Sequence, residues 1–212
     1  NGINQEPMLA GVLAGRRLAE HWDGTDSAVD FFDAKADVEA LLGLTGKGKQ
    51  VSFKAETHSA LPPGMSAAIY LDDAHIGWLG AVHPQFSKKL GTNGRVFVFE
   101  LLLSAVTQRE LPSAKPVSKF PANRRDIAIT VAETVAVGDV IKFIEKNSAN
   151  QLVGLNLFDV YTGQGIADGY KSLALSLILQ DPDKTLEDAE IQAVVDSVVK
   201  GLESEFGAAL RE

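Results

Sequence analysis

The 212-residue sequence predicts an α+β protein made of two successive modules. Three observations carry that reading. The stretch Leu111-Pro112-Ser113-Ala114-Lys115-Pro116 has two prolines, small residues and no apolar period, which is the composition of an extended linker. Residues 126–131 and 172–177 alternate between aliphatic and small or polar side chains, the pattern of strands with one buried face. Ile191, Val194, Val195, Val198, Val199, Leu202 and Phe206 follow the i, i+3, i+4, i+7 spacing of an amphipathic helix. The expected boundaries are 1–111 for the first module, 112–118 for the linker and 119–212 for the second.

In the first module Met8 to Gly15 reads as a short buried strand. Val29 to Leu44 reads as a helix whose apolar stripe is Val29, Phe32, Ala36, Val38, Leu41 and Leu42. Segments 51–56, 66–72, 75–83 and 95–103 read as strands, with Asp72-Asp73 as a tight hairpin turn between the second and third. His83-Pro84 ends a strand and opens a short helix over Gln85–Leu90. Antiparallel pairing should dominate this half.

The second module begins with a strand in which Ile127, Ile129 and Val131 alternate with Asp126, Ala128 and Thr130. A helix over 138–147 carries Val140, Phe143 and Ile144. Leu152 to Tyr161 is a second strand, Gly163, Gly165 and Gly169 punctuate a loop, and Ser172 to Leu179 is a third strand. Thr185, with Asp188 three residues on, is the expected N-cap of the long helix; Gly207 stops it, and Ala208 to Arg211 forms a last short strand. The order βαββαβ is the ferredoxin-like plan, with both helices on one face of a four-stranded sheet. The other face should then carry Asp126, Ala128, Thr130, Ser172, Ala174 and Ser176. Asp159 and Tyr161, two apart, share that face, and Phe158 and Val160 point away from it. A polar sheet face with an aromatic residue can stack and hydrogen-bond an unpaired base.

Composition narrows the function. Hydrophobic residues make up 45% and charged residues 23%, a globular balance rather than a disordered one. The absence of cysteine removes disulfides, thiolate metal sites and cysteine nucleophiles, and fits a reducing cytoplasm. No apolar run approaches the roughly 18–20 residues of a membrane helix. The chain opens Asn1-Gly2-Ile3 and reads as a piece of a longer protein. Its net charge of −8 conceals a local basic cluster of Lys115, Lys119, Arg124 and Arg125, with no acid among them, while nine acids gather between Asp181 and Glu212. A nucleic-acid footprint is a patch rather than a total, so this acidic balance does not exclude RNA.

The chemical motifs are thin. Gly43 to Lys49 satisfies GxxxxGK, but Gln50 stands where a P-loop needs Ser or Thr, and the string follows a helix where a P-loop follows a strand. His21, His58, His75 and His83 show no metal-ligand spacing, and no nucleophile elbow or zincin motif is present. No catalytic and no metal residues are expected.

Phe120-Pro121-Ala122-Asn123-Arg124-Arg125-Asp126-Ile127-Ala128, Leu157-Phe158-Asp159-Val160-Tyr161, Gly169-Tyr170-Lys171-Ser172-Leu173-Ala174, Lys184-Thr185-Leu186 and Leu210-Arg211 occur in this order. Together they resemble the ferredoxin-fold anticodon-binding domain that ends the β subunit of bacterial phenylalanyl-tRNA synthetases. Val29 to Lys35, Pro63-Gly64 before Ser66-Ala67-Ala68, and Gly77 to Pro84 resemble that subunit's class II synthetase-like module, so the resemblance spans the chain.

The resemblance implies a C-terminal part of the β subunit of an (αβ)2 heterotetramer that joins phenylalanine to its tRNA in the cytoplasm. ATP and magnesium would serve the full enzyme at the α subunit, and no cofactor is implied for this part. Residues 1–109 would pack against the α subunit without catalytic signatures. The partners implied are tRNA-Phe and the α subunit, not DNA or a membrane. Asp159, Tyr161, Ser172 and Arg211 match the positions that face the anticodon: Tyr161 would stack on a base, Asp159 and Ser172 would bond its edge, and Arg211 would pair with phosphate or reinforce a base contact. Of Arg124 and Arg125, one would contact the RNA backbone and the other partner Asp126, either assignment being open. Tyr170 departs from the basic residue common at its position. A different reading of residues 113–212 is a ferredoxin-like regulatory or interaction module for a small ligand or protein.

Overall fold

The computed structural model describes the chain except for Asn1, Asn4, Thr25, Asp26, Asn93, Pro112, Lys115, Ala149 and Glu212. The linker residues Pro112 and Lys115 therefore lie outside the described residues. The chain forms two compact units, residues 1–113 and 114–212.

The first unit contains β1 (Met8–Ala14), α1 (Phe31–Gly43), β2 (Val51–Ala55), β3 (Ser66–Leu71), β4 (Ala74–Ala81), α2 (Pro84–Leu90), β5 (Val96–Leu102) and α3 (Leu103–Thr107). Its five strands pair antiparallel throughout, in the order β1-β5-β4-β3-β2. The turn joining β3 to β4 bends at Asp72, whose φ of 52° is the left-handed conformation that aspartate tolerates in tight turns. Pro84 opens α2 behind His83, whose Nδ1 accepts from Gln85 N at 3.3 Å.

Helix α1 starts at Phe31 because Asp30 caps it: its carboxylate accepts from Phe32 N at 2.7 Å and Asp33 N at 3.0 Å, and Asp33 accepts from Asp30 N at 2.9 Å. The face it buries differs from the expected stripe. Ala34, Val38 and Leu42 reach zero exposure against Ile69, Leu79, Phe97 and Leu101, whereas Phe32 is 71% exposed and Ala36 lies on the outer face. A stripe that begins with alanine lets the helix sit close to the sheet, and the capping box fixes the rotation that presents it. Residues 43–50, the P-loop-like string, run from the end of α1 through a turn into a 3-10 turn at Gly48–Gln50 and then β2. Thr45 holds that turn by donating to the Leu42 carbonyl at 2.6 Å. The segment has no strand ahead of it and no helix N-terminus aimed at a ligand.

The second unit contains β6 (Asn123–Ala132), α4 (Val137–Asn147), β7 (Leu152–Tyr161), β8 (Tyr170–Leu179), α5 (Asp188–Phe206) and β9 (Ala209–Leu210). The order βαββαβ and the antiparallel sheet β7-β8-β6-β9 are those of the ferredoxin-like plan. Ile127, Ile129 and Val131 of β6 and Leu173, Leu175 and Leu177 of β8 turn to one face. There they meet Val140 and Ile144 of α4 and Val195, Val198 and Leu202 of α5, leaving the opposite face without a helix. Each such aliphatic contributes about 1.5–3 kcal/mol when fully buried.

The N-cap of α5 is Glu187 rather than Thr185. Glu187 N donates to Glu190 Oε2 at 3.0 Å, and Leu186 packs with Ile191 as a hydrophobic staple across the first turn. That staple sets the start of the helix two residues later than a hydroxyl-based reading does. Gly207, at φ 61°, ends the helix with its N–H on the Glu203 carbonyl at 3.0 Å, and β9 follows. No helix among the described residues is long and apolar enough to cross a membrane.

Candidate functional site

The helix-free face of the second unit is organised in rows across β7, β8 and β6. Register places Tyr161, Ser172 and Thr130 in one row, Asp159, Ala174 and Ala128 in the next, and Asn156, Ser176 and Asp126 in a third. Small residues on the central strand β8 make a shallow floor between the larger side chains of its neighbours. Ser172 and Ser176 were expected at an exposed face but are only 4% and 2% exposed. A serine between two taller cross-strand neighbours is shaded by them, so the face is open while its central serines are not.

Strand β7 carries a β-bulge between Leu157 and Asp159. Leu157 pairs with Leu175 on the helix side, and Asp159 then pairs with Ala174 on the open side, so Phe158 is the extra residue. Contrary to strict alternation, Phe158 stands with Asp159 and Tyr161. Its ring lies under the guanidinium of Arg124 at 5.7 Å, and Arg124 shares the open face with Asp126. Phe158 is 50% exposed. Sequence reasoning missed it, and the one signal available was the aliphatic-aromatic-acid run Leu157-Phe158-Asp159, which breaks the period of two.

Tyr161 is fixed from two sides. Its hydroxyl donates to the Gln164 carbonyl at 3.2 Å, and the guanidinium of Arg211 lies 5.7 Å from its ring centre. Gly163, at φ 150°, allows this loop to fold back, because a Cβ there would lie 2.9 Å from the tyrosine hydroxyl. Arg211 leaves from the β9 edge, where its N–H donates to the Ala128 carbonyl at 2.8 Å. Its side chain extends on the open face, so that its guanidinium and the Tyr161 ring approach each other from opposite edges of the sheet. Asp159 is exposed and its carboxylate has no partner among the described residues. It is a free acceptor beside the tyrosine.

The two adjacent arginines have different duties. Arg124 donates from Nε to Asp126 Oδ1 at 2.8 Å and from an Nη to Oδ2 at 3.1 Å, a bidentate fork. Ser176 donates to the same carboxylate. The Arg124 hydrogen bonds, with help from Ser176, hold the Asp126 carboxyl below its usual range, and Asp126 raises the Arg124 guanidinium in turn. Arg125, one residue on, points to the other face and donates to Asp188 of α5 at 2.9 Å. The fold thus gathers Asp159, Tyr161, Ser172, Arg211 and Arg124 on one face and sets Arg125 apart from them. Asp126, Ser176, Phe158 and Asn156 join the group.

Among its described residues the first unit holds no comparable set. His21 and His58 each accept a backbone N–H at 3.2 Å through Nδ1, as His83 does at 3.3 Å, so these rings close local turns. His58 and His75 flank the Trp78 ring at 4.9 and 5.2 Å. The Tyr70 hydroxyl donates to Glu56 at 2.9 Å, and that hydrogen bond raises its pKa, which keeps the phenol protonated. Among the described residues no group of three histidine, aspartate or glutamate side chains is placed to hold a metal ion.

Comparison with known proteins matches the two halves of the chain to two different families. Residues 118–211 match the family described as the ferredoxin-fold anticodon binding domain, and residues 1–103 match the phenylalanyl tRNA synthetase beta chain CLM domain. The chain is 54% identical over 211 residues to the phenylalanine–tRNA ligase beta subunit of Yersinia pestis. It is 56% identical over 211 residues to those of Sodalis glossinidius (strain morsitans) and Pectobacterium atrosepticum. Each match takes in 100% of this chain and 26% of the relative, so the chain spans about a quarter of the length of the curated relatives it matches. The chain belongs to the phenylalanine–tRNA ligase β-subunit family.

Proposed function

We propose that this chain acts within a phenylalanine–tRNA ligase, its second unit binding the anticodon region of tRNA-Phe and its first packing against the catalytic α subunit. The observation that carries the reading is the helix-free face on which Tyr161, capped by Arg211, stands beside the unpartnered Asp159 and the Ser172 hydroxyl. An unpaired base stacks on Tyr161 while its edge meets the exposed Asp159, with Ser172 forming the floor beneath. Arg211 supplies a cation for the phosphate or for the base plane. A carboxylate accepts hydrogen bonds only, so Asp159 favours a base edge that presents N–H groups. Few phosphates are neutralised in this arrangement, so the salt dependence is shallow and the overall acidity of the protein is no obstacle.

Residues 1–113 carry no catalytic role in this reading. ATP and magnesium are used at the α subunit of an (αβ)2 assembly in the cytoplasm, and the first unit supports that subunit. The test is fluorescence anisotropy of a labelled tRNA-Phe anticodon stem-loop on the ligase assembled with this sequence, alongside a loop with a scrambled anticodon. Preference for the native loop that falls by about 1–3 kcal/mol in Tyr161→Ala is the expected result, the usual worth of a stacked base. Equal binding of both loops, or a Tyr161→Ala enzyme that binds and charges tRNA-Phe unchanged, overturns it.

A further inference from the structure

The geometry points to a second nucleobase-stacking position on Phe158, under Arg124, taking the unpaired nucleotide next to the one stacked on Tyr161. This rests on the anticodon reading above and extends it from one base to two. The bulge at Leu157/Asp159 is what creates the position, since unbroken alternation would send Phe158 to the helix side. A phenylalanine turned outward on an edge strand gives up the stabilisation of core burial, and bulges of this kind recur beside functional sites.

The arrangement at Phe158 repeats the one at Tyr161. Each ring is partly exposed, and each has an arginine guanidinium 5.7 Å from its centre. Arg124 is held in place before any ligand arrives, by its fork to Asp126 and by Ser176 behind that carboxylate. Ordering it on binding therefore costs little. The two rings stand three residues apart along β7, which at about 3.3 Å per residue is roughly 7–10 Å. RNA-binding sheets with two aromatics stack two or three consecutive bases. Asp159 lies between the rings, within reach of a base edge at either. A phenyl ring offers every base the same π surface, so Phe158 adds affinity and register while base identity is read by its polar neighbours.

The test uses the assembled ligase and anticodon stem-loops of tRNA-Phe carrying 2-aminopurine at one anticodon position at a time, whose fluorescence reports stacking on an aromatic ring. Two neighbouring positions should change on binding. Phe158→Ala should abolish the change at one of them, leave the other, and weaken binding roughly 5- to 150-fold. Tyr161→Ala should show the reverse pattern. Phe158→Leu, which keeps an apolar side chain without a π face, should lose the same signal as Phe158→Ala, and an unchanged melting temperature separates this from misfolding. If Tyr161→Ala weakens binding while Phe158→Ala leaves the affinity and every 2-aminopurine signal as they were, the second position is wrong and the anticodon reading stands. If the unaltered enzyme does not bind the stem-loop, both fall.

Discussion

In residues 1–113 the exposed rings of Trp22 and Phe32 have other rings as their neighbours. Trp22 is 90% exposed with His21 as its ring neighbour, and Phe32 stands edge-on to Phe31. In residues 114–212 the exposed rings are Phe158, Tyr161 and Tyr170, and the first two are each matched to an arginine on the helix-free sheet face. Both units bury one sheet face under helices with comparable aliphatic cores. They differ in what the remaining surface can bind. Exposed apolar side chains such as Trp22 and Phe32 suit a protein partner, whose own apolar surface they remove from water. Aromatic rings set between guanidinium groups and a free carboxylate suit a flat, polar-edged ligand such as a base.

The largest expected effect tests whether the units fold separately. In Gly77→Ala the new Cβ would lie 2.0 Å from the Glu100 carbonyl oxygen, a backbone clash that rotamer changes cannot relieve. The β4–β5 pairing should open, and calorimetry should show the first unit's transition lost while stem-loop binding by the second survives. The mirror experiment is Leu175→Ala, which removes a fully buried leucine from the central strand β8. It should cost about 2–5 kcal/mol in the second unit and abolish RNA binding, with the first unit's transition unmoved. A single merged transition in either variant would break the comparison at its root.

Trp22→Ala sharpens it from the other side. A side chain exposed in this unit alone should contribute under about 0.5 kcal/mol to its stability. If the surface docks the α subunit, the same change should weaken assembly by at least about 2 kcal/mol, as aromatic anchors do, and analytical ultracentrifugation of the mixed subunits checks it. Unimpaired assembly would remove Trp22 from that interface. The smallest effect concerns Asp126. Its carboxyl titrates below the ordinary value in the folded protein because Arg124 and Ser176 stabilise the charged form. The stability this confers is present above the unfolded value near pH 4 and is lost as pH falls through the lowered folded value. Asp126→Asn should therefore flatten the acid limb of the second unit's unfolding below about pH 4, with no change in pH dependence above it. An acid limb as steep as that of the unaltered chain would show that the Arg124 fork adds nothing to folding.

Much of the fold was legible because it depends on residues close in sequence. The limits of β7 at Leu152 and Tyr161, the turn at Asp72, the stop at Gly207 and the apolar stripe of α5 each follow from local chemistry: period, turn propensity and left-handed backbone tolerance. The order of strands and helices then restricted the second unit to a sheet with one uncovered face. Tyr161, Asp159 and Ser172 were legible as neighbours because strand periodicity fixes which residues share a side.

The structure decided what periodicity does not encode. Whether Phe158 faces the helices or the open side depends on how many residues of β7 oppose each residue of β8, which is a property of the pair of strands. Arg124 rather than Arg125 takes Asp126 because residues two apart on a strand share a face and adjacent ones do not, once pairing with β8 has set which face is which. The burial of Ser172 and Ser176 was set by taller side chains on flanking strands, and the rotation of α1 that hides Ala34 and exposes Phe32 by the Asp30–Asp33 cap together with the fit to the sheet. Composition and pattern determined the elements, their order and the face left open. Cross-strand register and packing decided which side chains meet on that face, because those distances are fixed only when segments far apart in sequence come together.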